Sequence, residues 1–242
     1  MKTARRLIFT GLVLGITAFA QETAREGASV YYVVFLRPDP ARKPLAKEEG
    51  ERIQKAHMAN ILKMADDGYL AGAGPFENDP PPISGVFLMK AKSIDEARRM
   101  AGEDPTVREH RNTIDVHAWR APAGIGDEYF RLHKERPETP ENMGAHPTLL
   151  LTRGPAWNAS DPKDRVVLLA GHQQYMDELR RSGKLSAAGP VEGESSMIGI
   201  VVFRRIPLEE ARHLIGDDPA VKAGVLSVEA HRWWSSDHVF PW

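Results

Sequence analysis

Cysteine is absent from all 242 residues, which excludes disulfides, thiolate metal ligands, thiol nucleophiles and lipid attached through a cysteine. An excess of either charge is also missing. The 32 basic and 33 acidic side chains leave a formal net charge of −1, so no overall field gathers nucleic acid or acidic lipid, and no nucleic-acid partner is expected. Glycine-rich phosphate loops and a Gly-x-Ser-x-Gly elbow are absent, and the histidines have no close paired spacing, so neither a cofactor nor a metal is expected. Long apolar runs are scarce. One covers Leu7 to Phe19, behind Lys2, Arg5 and Arg6 and ahead of the small-x-small site Ala18-Phe19-Ala20. It is shorter than the ~20 residues of a membrane span. It reads as a signal peptide over residues 1–20, cleaved near Gln21 to give a periplasmic or secreted product without a membrane anchor.

The whole chain is 42% hydrophobic and 27% charged, the balance of a protein with a packed core. An internal duplication organises it. His57 to Phe76 lies over His172 to Val191 without a gap, matching His57/His172, Gly68/Gly183, Leu70/Leu185, Ala73/Ala188, Gly74/Gly189 and Pro75/Pro190. Gly85 to Val107 lies over Gly199 to Val221 in the same way, with Asp104-Pro105 on Asp218-Pro219, and His117-Ala-Trp119 faces His231-Arg-Trp233. An offset of about 115 residues is too long for a solenoid unit, so each copy is a whole domain. The boundaries follow: 28–120 and 146–236 for the two domains, 121–145 for a surface linker rich in Pro, Gly, Glu and Arg, and 237–242 for a tail.

Each copy alternates strand and helix in one order. β-branched runs at Val30 to Leu36 and Thr148 to Thr152 read as first strands. About Lys47 to Asp67 and Asp161 to Ser182, apolar groups recur at helical spacing, and each run closes at a glycine, Gly68 or Gly183. Strands at Leu70 to Phe76 and Leu185 to Val191 turn at Gly-Pro; strands at Gly85 to Ala91 and Gly199 to Arg205 lead into helices starting near Ser93 and Pro207. Final strands cover Thr113 to Trp119 and Ser227 to Trp233. The order β-α-β-β-α-β predicts an α+β fold of two ferredoxin-like domains, each a four-stranded antiparallel sheet with helices on one face. The bare faces need a partner. Two copies supply it to each other, which predicts an intrachain pseudo-dimeric α+β barrel, with further homodimerisation still allowed.

His57 and His172 hold the matched polar position in the long helices. Helical spacing puts His57 with Ile53, Ile61 and Met64, and His172 with Leu168, Met176 and Leu179, so both rings point inward. An inward histidine is commonly a core residue bonded to a backbone carbonyl; a repeated one also reads as a general base. Asp104 and Asp218 have a turn explanation, as aspartate before proline starts turns well. They have a chemical one too, because a second helix of ~15 Å can end beside the middle of a ~30 Å neighbour. A carboxylate on one ring nitrogen fixes the tautomer and makes the other nitrogen a better base. On the last strands Asp115, His117 and Trp119 share a face, as do Glu229, His231 and Trp233. The histidines and tryptophans are candidate substrate-binding residues lining the space between the sheets, and the acids read better as an exposed edge.

The inward histidine, Gly-x-Leu-x-x-x-Gly-Pro, Glu-Ala in the second helix, Asp-Pro-x-Val and the closing aromatic strand together resemble the YCII-related (YciI-like) family of dimeric α+β barrels. The resemblance covers about Val30 to Arg120 and His146 to Trp234. It implies a ferredoxin-like fold and a histidine–aspartate active site at His57 with Asp104 and His172 with Asp218. A chlorohydroquinone dehydrochlorinase of this type implies proton transfer without a cofactor. The tandem form and the export signal depart from the family's usual single domain.

Two functions are therefore in view. One is an exported lyase or isomerase, His57 and His172 moving protons on a small organic molecule while Asp104 and Asp218 orient them. The other is a non-catalytic module that binds a small molecule or a protein in the same barrel.

Overall fold

A computed structural model describes residues 27–77, 83–136, 142–193 and 195–241. The expected signal peptide lies outside these residues. The first copy runs β1 (Ala28–Pro38), α1 (Lys47–Asp66), β2 (Leu70–Gly74), β3 (Phe76–Glu77), β4 (Gly85–Met89), α2 (Ile94–Gly102), α3 (Pro105–Arg108) and β5 (Asn112–Pro122). After α4 (Asp127–Glu135) the second copy runs β6 (Met143–Arg153), α5 (Pro162–Arg181), β7 (Leu185–Glu192), β8 (Met197–Phe203), α6 (Leu208–Gly216), α7 (Pro219–Lys222) and β9 (Leu226–Ser236). Among the described residues no helix is long and apolar enough to cross a membrane.

The first strand of each copy is apolar on both faces because both are covered. Tyr31, Val33 and Phe35 pack between the sheets with Leu150, Ile200 and Val202 of the other copy. Tyr32, Val34 and Leu36 pack outward under Met64, Ala97 and Ala101 of the helices. The helices start and stop where local chemistry requires. Ser93 caps α2 by accepting from the Glu96 N–H at 3.1 Å, and α1 and α5 are followed by Gly68 and Gly183 at φ 77° and 73°.

The strand order is β2-β4-β1-β5-β7-β8-β6-β9-β3, all neighbours antiparallel. Its two ends are consecutive in the chain, so the order closes on itself. The strand expected as one piece from Leu70 to Phe76 is broken at Pro75: β2 pairs with β4 of its own copy, and β3 pairs with β9 of the other, Phe76 facing Trp233. The second copy mirrors this, Val191 facing Trp119 across β7 and β5. The matched glycines belong to these seams. A Cβ on Gly74 would fall 1.8 Å from the Trp234 carbonyl oxygen, and one on Gly189 would fall 1.8 Å from that of Arg120. Only a residue without a side chain lets the two copies' backbones meet there.

Two segments are more ordered than the sequence implied. The expected linker, residues 121–145, finishes β5, carries α4 with Ile125 and Tyr129 buried, and begins β6. The expected tail buries Val239 and Phe240, with the Gly126 N–H donating to the Val239 carbonyl at 2.7 Å.

Candidate active site

Asp104 ends the loop after α2 and caps α3, with Pro105 in the first helical position. One carboxylate oxygen accepts from the Thr106 N–H at 2.9 Å and the Thr106 hydroxyl at 2.6 Å; the other accepts from Asn60 Nδ2 at 3.0 Å. His57, near the middle of α1, places Nδ1 2.8 Å from that second oxygen. Asp104 is fully buried, whereas the His57 side chain keeps 14% of its exposure and stacks over Phe87 with ring centres 5.9 Å apart. Burial alone would push the Asp104 carboxyl up, but the bonds from His57 and Thr106 outweigh it and hold it below its ordinary value. A carboxylate at Nδ1 fixes a proton there and leaves Nε2 to act as an acceptor.

The second copy repeats the contact with different surroundings. Asp218 caps α7, accepting from the Ala220 and Val221 N–H groups at 2.8 and 3.3 Å, and His172 Nδ1 lies 2.5 Å from its other oxygen. Tyr175 occupies the place of Asn60 and gives its hydroxyl to the Leu214 carbonyl at 2.7 Å. Turn and pairing are thus both true of these aspartates: one oxygen starts the helix and the other holds the histidine.

The four remaining candidates lie elsewhere. His57 meets the outward face of the first sheet through Phe87, while Trp119 and Trp233 are buried between the sheets and line a small apolar void with Phe35, Phe76, Leu88 and Ile200. His117 and His231 point the same way as these tryptophans, His117 against Phe35 and His231 stacked on Phe76 at 4.5 Å. Each histidine approaches the acid two residues before it: His117 Nε2 is 2.9 Å from Asp115, and His231 Nε2 is 2.8 Å from Glu229. His117 and then Arg37 hold the Asp115 carboxyl below its ordinary value, while burial lowers His231 against the pull of Glu229. Glu229 is exposed, as the edge reading expected, whereas Asp115 is half-buried and paired with Arg37. The proposed catalytic and substrate-binding sets therefore occupy opposite faces of a sheet.

Sequence reasoning missed Asn60 and Thr106 because it weighed residues that recur in both copies, and these do not. It also missed His146, buried against Trp233 and Phe240, with neither ring nitrogen meeting a hydrogen-bond partner among the described residues. Its place in the first copy belongs to Tyr31, so it too is unrepeated.

The YCII-related domain model matches residues 30–120 and again 149–234. The chain belongs to the YCII-related domain family. It carries that domain twice, and each matched segment contains one bonded histidine–aspartate pair. Among solved structures it is similar to a variant of chlorite dismutase from Candidatus Nitrospira defluvii, at TM-score 0.54 and 12% identity over 90% of this chain and 94% of that one. A second chlorite dismutase-like protein gives TM-score 0.53 and 8% identity over 84% and 94%. At such identities the likeness is one of fold: a dimeric α+β barrel of two similar domains. A curated match to the Gag polyprotein of avian erythroblastosis virus (strain ES4) is 25% identical over 111 residues, 46% of this chain. This chain spans only 20% of that relative's length.

Proposed function

We propose that this YCII-related protein is an exported lyase or isomerase that moves a proton on a small organic molecule with its own histidine–aspartate pairs. The observation that supports this most is the His57–Asp104 contact: Nδ1 is held by a buried carboxylate with four donors, and the ring remains partly open. In the reaction, His57 Nε2 takes a proton from carbon while Nδ1–H stays on Asp104. In a lyase reaction the electron pair left behind expels a leaving group from the neighbouring carbon, and the proton on Nε2 passes to that group or to water; in an isomerase reaction the pair shifts and the same Nε2–H protonates the second carbon. His172 with Asp218 offers the same chemistry.

Small phenolic and carboxylic compounds incubated with the protein in deuterated water would test this by NMR. Deuterium entering a carbon position, reduced in His57→Asn and abolished when His172→Asn is added with the fold retained by circular dichroism, is the expected result. Saturable binding without exchange, unchanged by His57→Asn, would transfer the protein to the class of binding modules. Export has its own check: the mature protein should begin near Gln21 by intact-mass measurement.

A further inference from the structure

Two residues beside the first pair have no counterpart beside the second, and both bear on how the imidazole is held. Asn60 follows His57 by three residues on α1, so the two side chains share a face of the helix. The Asn60 amide donates at 3.0 Å to the Asp104 oxygen nearer the ring, while the Thr106 N–H and hydroxyl donate to the other oxygen. Both oxygens are therefore tied, and the carboxylate cannot rotate without breaking a bond. His57 Nδ1 sits astride this fixed plane, 2.8 Å from one oxygen and 3.0 Å from the other.

Asp218 is tied on one side only. The Ala220 and Val221 N–H groups donate to the same oxygen, and among the described residues His172 Nδ1 alone meets the other, at 2.5 Å. Ala220 stands in place of Thr106 and brings no hydroxyl. Tyr175 stands in place of Asn60 and gives its hydroxyl to the Leu214 carbonyl, which ties α5 to α6 and leaves the carboxylate alone. An oxygen that already accepts from another donor draws less strongly on the next proton. The Nδ1 proton of His57 thus faces two committed oxygens and stays on the ring, whereas that of His172 faces an uncommitted one and is drawn towards it.

We propose that Asn60 and Thr106 are positioning residues for proton transfer by His57: they lock the plane of Asp104, and with it the direction of Nε2, and they keep the Nδ1 proton on the ring while Nε2 gains and loses its own. This rests on the acid–base reading above and adds to it the groups that hold the base in place. The second pair works without such a frame, its carboxylate and imidazole free to turn together about the oxygen that starts α7.

The test reads the ring directly, in the full chain labelled with nitrogen-15 at histidine. A shorter, less shared hydrogen bond moves its proton downfield, so the His172 Nδ1–H resonance is expected downfield of that of His57. Asn60→Leu, which keeps bulk and removes the amide, should shift the His57 resonance downfield towards that of His172. Thr106→Val should act in the same direction, and Thr106→Ser, which keeps the hydroxyl, should leave the resonance in place. The His172 resonance is expected to stay where it is in all three variants, with the fold retained by circular dichroism. A residue that merely supported the helix would lower the melting temperature without moving this proton. A His57 resonance that Asn60→Leu leaves in place, or that Thr106→Ser moves as far as Thr106→Val does, would overturn the proposal. The underlying reading has a separate readout: should no phenolic or carboxylic compound exchange deuterium while the His57 resonance moves as stated, the acid–base reading fails and the hold of Asn60 and Thr106 on the ring stands.

Discussion

Asp104 and Asp218 each start a helix with one carboxylate oxygen and hold a histidine with the other. Replacing Asp104 with Asn keeps the shape but leaves buried donors facing an amide. The expected cost is about 1–3 kcal/mol of stability in urea unfolding. The Asp104 carboxyl is held below its ordinary value, so its contribution is present above the unfolded carboxylate value of ~3.9 and is lost as pH falls through the folded one. His146 acts earlier in an acid titration. Burial first, and then Arg205, lower its affinity for a proton, while Asp237 and the nearby Ser235 and Ser236 carbonyls favour the charged form and are outweighed. The unfolded chain takes that proton near pH ~6.5 and the folded chain does not. Stability is therefore expected to fall as pH drops below that point, with His231 adding to the slope in the same direction. His146→Leu should flatten the urea-midpoint curve between about pH 5 and 7, leaving the residual dependence of His231. Of these residues, His57, His172, Asp104 and Asp218 were legible because they recur. Asn60, Thr106 and His146 were not, because a duplication read against itself hides whatever one copy has changed.

Among the elements, the helices and central strands followed directly from periodicity, and their starts near Ser93 and Pro207 fell where expected. The break of one strand into β2 and β3 did not. Glycine and proline announce a turn, but whether the chain turns back or crosses into another sheet depends on what lies across from it, here the Trp234 and Arg120 carbonyls. Gly189→Ala should cost at least about 1–3 kcal/mol, the usual range for overpacking, since backbone must move. Gly50→Ala in α1, where a Cβ meets nothing within 4 Å, should instead add up to about 1 kcal/mol. Thermal melts of both variants would separate the seam from a general dislike of substitution. The helix α4 was hidden in a segment read by its prolines and glycines. Its signals were the charged pairs Glu128–Arg131 and Arg131–Glu135 at helical spacing, and two aromatics, Tyr129 and Phe130.

For the whole molecule, the sequence predicted two packed copies correctly, because a four-stranded sheet with helices on one side must cover the other. It did not indicate how tightly the space between them would close. The void bounded by Trp119 and Trp233 is small and exposes no polar surface, so the space around those two rings is packed core. Each half also completes the other's sheet: β3 extends the second, and the end of β7 extends the first. A half alone would carry an unpaired edge and an uncovered apolar face, so separate halves should associate with a concentration dependence visible in sedimentation. Joining them through α4 makes that encounter intramolecular, at an effective concentration on the order of millimolar for a short tether. A fused pair stays assembled at any dilution, which freed each copy from having to remain identical to its partner.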